Sequence, residues 1–194
     1  IRAEEMSKRV TISVATTAVS ANELSHIADK YYEEVTKLCQ HSDSFQLHFL
    51  KYQIGILNTQ IKSNFKQTIK ICEEAENYLE SNPNFNQKIK LANLALIKIS
   101  SYLQLRDYEN GRKNAEKCLD LVQEGSNNWF VFLEYYFLLA MHTENYINAA
   151  AIYIKVINHQ RFIYTNEERK EKWKIFEAYI NYVFETENLE IKII

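Results

Sequence analysis

The sequence predicts an all-α protein built from stacked antiparallel helical hairpins, and three observations predict this class. The 194 residues include only three glycines and one proline. Because a sheet needs turn residues every few positions, their scarcity favours long helices with short connections. Apolar side chains also recur at helical spacing along most of the chain. Finally, segment 132–146 returns 43 residues later as segment 175–189, which indicates repeated hairpins that bury their apolar faces by stacking.

The N-terminal part begins with an irregular segment, residues 1–19, that carries a β-branched, Ala-rich run over 10–19. Two interpretations stay open: a helix that packs on the first repeat, or an arm that pairs with another chain. Ser20 and Glu23 have the spacing of a capping box, which predicts that a helix over 21–40 begins there.

The central part predicts two helical pairs separated by the only strong loop signal, around Pro83. Ser63-Asn64 and Arg106-Asp107 mark the turn inside each pair, and Gly125 is placed to cap the end of the second pair. The predicted helices cover about 44–62, 64–81, 87–105 and 108–123.

The C-terminal part predicts a further pair, about 129–142 and 145–159. Thr165 and Glu168 then form a second capping box, which opens a helix that extends to about residue 185. The chain begins at Ile1, and the last sequence copy stops at Ile194 inside its expected second helix. We therefore expect a segment of a longer protein.

The residues around the turns resemble those of the tetratricopeptide repeat family. Asn145-Tyr146-Ile147-Asn148-Ala149 with Tyr153 and Val156 is the best match. Residues 107–111 with Ala115, Cys118 and Leu119 are similar, and Asn64-Phe65 with Thr68, Cys72 and Ala75 is a weaker copy. The turn positions Phe65, Tyr108, Tyr146 and Leu189 are 43, 38 and 43 residues apart, against a usual family period of 34. Helices or loops are therefore extended, as in some bacterial relatives. Other helical repeat families and a generic helical bundle stay open as alternatives.

The resemblance implies a right-handed α-α superhelix. Residues 1–43 would be an N-terminal arm or cap, and 44–194 would be repeats at about 44–86, 87–126, 127–164 and an incomplete 165–194. It also implies which faces are buried between the helices of a pair. These are Tyr52, Gly55, Ile56 and Thr59; Ala95, Lys98, Ile99 and Tyr102; Leu133, Tyr136, Phe137 and Ala140; and Phe176, Tyr179, Ile180 and Val183. Lys98 fits its apolar face poorly.

Composition argues against several classes of function. The formal net charge is −2 and no basic stripe is present, so direct nucleic-acid binding by this segment is disfavoured. No apolar run approaches the roughly 20 residues that a membrane span needs, and the N-terminus lacks the order of a secretion signal. Three separated cysteines, Cys39, Cys72 and Cys118, predict reduced thiols and a cytoplasmic location.

Catalytic and metal sites are not predicted. Cys39, His41 and His48 lie close together in sequence, but a zinc site needs a second pair of ligands that the chain does not supply. No glycine stands in a nucleophile or phosphate-binding motif. We therefore expect no enzymatic activity and no cofactor.

A binding groove is the remaining candidate site. The resemblance implies that one face of each first helix points into a concave surface, where Glu134 and Glu177 would present equivalent carboxylates outside the core to a basic or amine-bearing peptide. The alternative is that both are solvated or neutralised by nearby lysines. The implied groove comprises Gln53, Leu57, Leu96, Ser100, Glu134, Leu138, Met141, Glu177, Asn181 and Phe184.

The predicted function is a non-catalytic protein- or peptide-binding scaffold segment of a larger cytoplasmic, bacterial protein. The alternative is the sensory or dimerisation region of a bacterial peptide-responsive transcriptional regulator, with its DNA-binding part elsewhere. Homo-oligomerisation is compatible with both.

Overall fold

The computed structural model describes residues 21–84 and 86–187, and these residues form eight α-helices, two short 3-10 helices and no strand. The predicted all-α class is confirmed. The run over 10–19, the capping box at Ser20 and the turn position Leu189 lie outside the described residues. The helices are α1 Ala21–Cys39, α2 Phe45–Ile61, α3 Phe65–Ser81, α4 Gln87–Gln104, α5 Tyr108–Cys118, α6 Asn127–His142, α7 Tyr146–Ile157 and α8 Glu167–Thr186.

The chain divides into two compact units, residues 1–87 and 88–194, at the predicted start of the second repeat. In the first unit, α2 packs against both α1 and α3, and Val35, Leu50 and Ile54 form a core cluster. Asp29 on α1 accepts hydrogen bonds from the Asn58 amide at 2.7 Å and the Lys62 ammonium at 2.6 Å. Apolar packing and this polar bridge therefore both join α1 to α2.

In the second unit, α6 is the central helix and is buried on nearly all sides. It packs against α5 and α7, and α7 packs against α8. The Phe137 ring stacks on Phe176 of α8 with centroids 4.3 Å apart, and the Trp173 ring meets both rings edge-on. These large aromatic side chains give α6 and the core face of α8 extensive apolar contact.

Three helical pairs, α2–α3, α4–α5 and α6–α7, share the same turn. Each connection has three residues, and its middle residue, Ser63, Arg106 or Glu144, has a left-handed φ of 53° to 57°. The next amide then donates to the carbonyl five residues earlier at 2.8 to 3.0 Å. This is the hydrogen bond of a Schellman C-cap. One turn geometry therefore recurs at the three predicted turns, immediately before Phe65, Tyr108 and Tyr146.

Most positions predicted to lie in the core are buried, but the predicted burial of Tyr179 is wrong. Tyr136 is 5% exposed as predicted, and its hydroxyl accepts a hydrogen bond from Asn148 of α7 at 2.9 Å. Tyr179, its counterpart 43 residues later, is 47% exposed. The physical reason is that α6 is packed between neighbouring helices, whereas α8 is packed on one face only and no described helix follows it. Lys98 is buried despite its charge.

Two helix ends also differ from prediction. The α5 helix ends at Cys118 and continues as the 3-10 turn Leu119–Leu121, so Gly125 lies in the loop beyond it, with a φ of 72°. The last helix is capped by Asn166 rather than Thr165, because the Asn166 side chain accepts the Arg169 amide at 2.9 Å. A second 3-10 turn, Phe162–Tyr164, precedes that cap.

Candidate functional site

The predicted groove residues are distributed over both units and differ in exposure. Gln53 and Leu57 belong to the first unit and the other eight to the second. Exposed side chains are those of Gln53, Glu177 and Asn181; half-buried ones are Leu57, Leu96, Ser100 and Leu138; buried ones are Glu134, Met141 and Phe184.

Glu134 is not an open groove carboxylate, which corrects the expectation that it lies outside the core. It is 6% exposed and pairs with two cations of α8. Its Oε1 accepts from Arg169 Nε at 2.7 Å, and its Oε2 accepts from Lys172 Nζ at 2.7 Å. Glu134 therefore links α6 to α8, and its negative charge is already matched.

Arg169 is held on three sides. In addition to its hydrogen bond to Glu134, Arg169 donates from one terminal nitrogen to Asn127 Oδ1 at 2.9 Å. Its guanidinium lies over the Phe130 ring, 5.5 Å from the centroid, which favours the cation electrostatically. The arginine therefore completes a polar link between the start of α6 and the start of α8.

Glu177, the sequence counterpart of Glu134, has a different environment. It is exposed and has no arginine partner in the described structure. The pKa of the Tyr153 hydroxyl is raised to about 12. The larger cause is burial of the hydroxyl, and the smaller one is its hydrogen bond with the Glu177 carboxylate. The two glutamates therefore do not present a matching pair of carboxylates, although they occupy equivalent sequence positions.

A cleft of about 530 Å³ opens beside Arg169. Phe130 and Tyr164 supply apolar lining, while Arg161, Asn166 and Thr165 supply polar groups. Arg161 donates to the Gly125 carbonyl at 3.4 Å, so both arginines already have partners within the protein. The residues that line the cleft include no nucleophile paired with a base.

An exposed apolar strip runs along α8, and we call it the α8 stripe: Ile175, Ala178, Tyr179 and Tyr182. Ile175 is 67% exposed, Tyr179 47% and Tyr182 64%. Their spacing of i, i+4 and i+7 places them on one side of the helix. The opposite side holds the buried residues Trp173, Phe176 and Ile180.

The counterparts of the stripe on α6 are fully covered. Phe132, Tyr136 and Leu139, each 43 residues earlier, are at most 5% exposed. A β-carbon added to Gly111 of α5 would lie 2.6 Å from Leu139, so α5 approaches this face closely. Sequence periodicity had marked Tyr179 as a core position but had not shown that its face lacks a covering helix.

Other kinds of site are not formed by the described residues. Residues 21–84 and 86–187 contain no cluster of three or more His, Cys, Asp or Glu side chains suited to a metal ion. Over the same ranges, no helix has the length and apolar character required to cross a membrane. Among the described residues, Cys39, Cys72 and Cys118 form no disulfide bond.

Comparison of the chain with protein-family models, with curated proteins and with solved structures gives no match in any of the three.

Proposed function

We propose that this chain is a non-catalytic protein-binding segment and that the α8 stripe is its binding surface. The observation that carries the proposal is the exposure of Ile175, Tyr179 and Tyr182 on one side of α8. Contiguous exposed apolar side chains on a soluble protein mark interaction sites. Tyrosine is enriched at such sites because it combines a large apolar ring with a polar hydroxyl.

The packing of the equivalent face of α6 inside the second unit supports this proposal. On α6, the equivalent side chains pack against a neighbouring helix through Leu139 and Gly111, and Tyr136 hydrogen-bonds to Asn148. A helix laid on the α8 stripe would bury the same kinds of side chain. This supports recognition of a helical partner rather than an extended peptide.

We further propose that the hairpins belong to a divergent tetratricopeptide-like repeat array of a cytoplasmic protein. Supporting this, the turns at Ser63, Arg106 and Glu144 share one geometry, and each precedes an aromatic residue that begins the next helix. Three described cysteines without a disulfide bond fit a reducing compartment. A scaffold of this kind binds by shape and apolar area and needs no catalytic group.

A capture experiment tests the proposed function. The immobilised wild-type chain and the variants Ile175→Asp and Ile89→Asp are each exposed to a lysate of the source cells. Ile89 is a matched control because it is an equally large, exposed side chain on α4. We expect a protein that wild type and Ile89→Asp retain and Ile175→Asp loses, with equal helicity by circular dichroism. Equal retention by all three would remove the stripe from the binding surface.

A further inference from the structure

We propose that the α8 stripe binds the α8 stripe of a second copy of this chain, with the two helices antiparallel. This inference rests on the proposed function, because it names the partner of the same surface. Three features carry it: the exposure of the stripe, the order of large and small side chains along it, and the charges on its flank.

The order of side chains makes the stripe complementary to itself. If a two-fold axis passes between Ala178 and Tyr179, then Ile175 of one copy faces Tyr182 of the other. The same axis places Ala178 opposite Tyr179, so a methyl group leaves space for each phenol ring. Each Tyr179 ring is therefore opposite a methyl group, and each Tyr182 ring is opposite an isoleucine rather than a second ring. A parallel arrangement in register would instead place Tyr179 against Tyr179 and Tyr182 against Tyr182.

The charges beside the stripe favour the same arrangement. Lys174 and Glu185 are eleven residues apart, close to three helical turns, and therefore lie on one side of the stripe. In an antiparallel pair, each Lys174 comes near Glu185 of the other copy, giving two symmetric ion pairs. Lys174 now pairs with Glu171 of its own helix at 2.6 Å, but both side chains are largely exposed. An exposed pair of this kind is weak and can exchange partners at little cost.

The tyrosine hydroxyls do not oppose this packing. A phenol ring can be buried while its hydroxyl reaches the solvated rim of an interface. The rest of α8 needs no rearrangement, because its core face, with Trp173, Phe176 and Ile180, is already packed inside the second unit. Two such helices can therefore meet as rigid surfaces. Because each contributes only a short stripe, we expect an affinity in the micromolar range rather than a permanent dimer.

Sedimentation velocity of the whole chain, over a concentration range of about 1 to 300 μM, tests the inference. We expect reversible dimerisation by the wild type and by the exposed-surface control Ile89→Asp. We expect Ile175→Asp to remain monomeric over the range. A wild-type monomer throughout would overturn the homodimer and leave the protein-binding proposal to the capture experiment. A dimer that Ile175→Asp retains would also overturn it, since the contact would lie elsewhere.

A charge exchange tests the antiparallel arrangement separately. Lys174→Glu and Glu185→Lys should each weaken association about threefold or more, because each places like charges together twice in a symmetric dimer. The double variant Lys174→Glu, Glu185→Lys should recover the wild-type dissociation constant. Each side chain is exposed, so folding should be unchanged, and equal helicity checks this. A double variant weaker than both single ones would overturn the antiparallel pairing.

Discussion

Replacing Glu134 by Gln tests whether the link between α6 and α8 is structural. The substitution keeps the shape of the side chain but removes the charge that faces two cations. Arg169 is only 13% exposed at its side chain, whereas Lys172 is 44% exposed. The arginine would therefore be left largely buried without its counter-ion, while the lysine could turn toward water.

The size of the expected loss in the free energy of unfolding follows from this difference in exposure between Arg169 and Lys172. A hydrogen bond to a charged group contributes about 1.5–3 kcal/mol when buried, which we assign to Arg169. The half-exposed Lys172 pair contributes at most about 1 kcal/mol. The neutral amide of Gln retains part of one hydrogen bond. We therefore expect the free energy of unfolding to fall by about 2–3 kcal/mol, somewhat below the value for breaking a fully buried pair.

Urea denaturation followed by circular dichroism measures this loss, and Glu177→Gln is the matched control. Glu177 stands at the equivalent sequence position but is exposed, and its amide replacement can still accept from Tyr153, so we expect a change within about 0.5 kcal/mol. Equal effects of the two substitutions would refute the structural role of Glu134. Glu134→Lys should be worse than Glu134→Gln, because it places a third cation beside Arg169 and Lys172.

Three further outcomes are expected. Tyr136→Ala should lower the free energy of unfolding by about 3–5 kcal/mol. Tyr179→Ala, measured at a concentration low enough to prevent the proposed association, should change it by no more than about 0.5 kcal/mol. Similar losses in the two variants would contradict the different burial of the two tyrosines. Gly111→Ala should lower the free energy of unfolding by about 1–3 kcal/mol in urea denaturation. The new β-carbon would lie 2.6 Å from the Leu139 side chain and 2.9 Å from the Tyr102 β-carbon, which is fixed to its backbone. A neutral result would show that α5 is free to shift. The pKa of Tyr153 is raised from 10.0 to about 12 in the folded state. The unfolded chain therefore loses this proton first, and stability falls as pH rises from about 10 to about 12. The Tyr153→Phe variant should lose less stability than the wild type over that pH range. An equal dependence of the free energy of unfolding on pH in the two proteins would contradict the raised pKa of Tyr153.

The helices could be predicted from sequence because their signals are local. Apolar periodicity and the few loop residues placed the start of α4 at Gln87 and the start of α3 within one residue of Phe65. The end of α5 was missed because no glycine or proline stands directly after Cys118, and the change to a 3-10 turn has no local signature there. Local patterns therefore located helices better than they located helix ends.

The surfaces could be predicted only in part because their properties depend on distant residues. Glu134 and Glu177 are equivalent in sequence, yet only Glu134 meets Arg169 and Lys172, which lie 35 and 38 residues further along the chain. Periodicity likewise marked Tyr179 as apolar-facing, but it carries no information about whether another helix covers that face. Equivalence in sequence therefore did not ensure an equivalent environment.

The three left-handed turn residues have a consequence for how stability can be adjusted. Ser63, Arg106 and Glu144 each carry a β-carbon in a conformation that costs about 1 kcal/mol relative to glycine. None of them is buried or belongs to the α8 stripe. The hairpins therefore tolerate backbone strain at their turns, and a glycine there would remove it. Glycine would also raise the entropy of the unfolded chain, which lowers stability and offsets part of that gain. Selection or design could thus tune the folding free energy at these three turns while the packed helices and the α8 stripe stay unaltered.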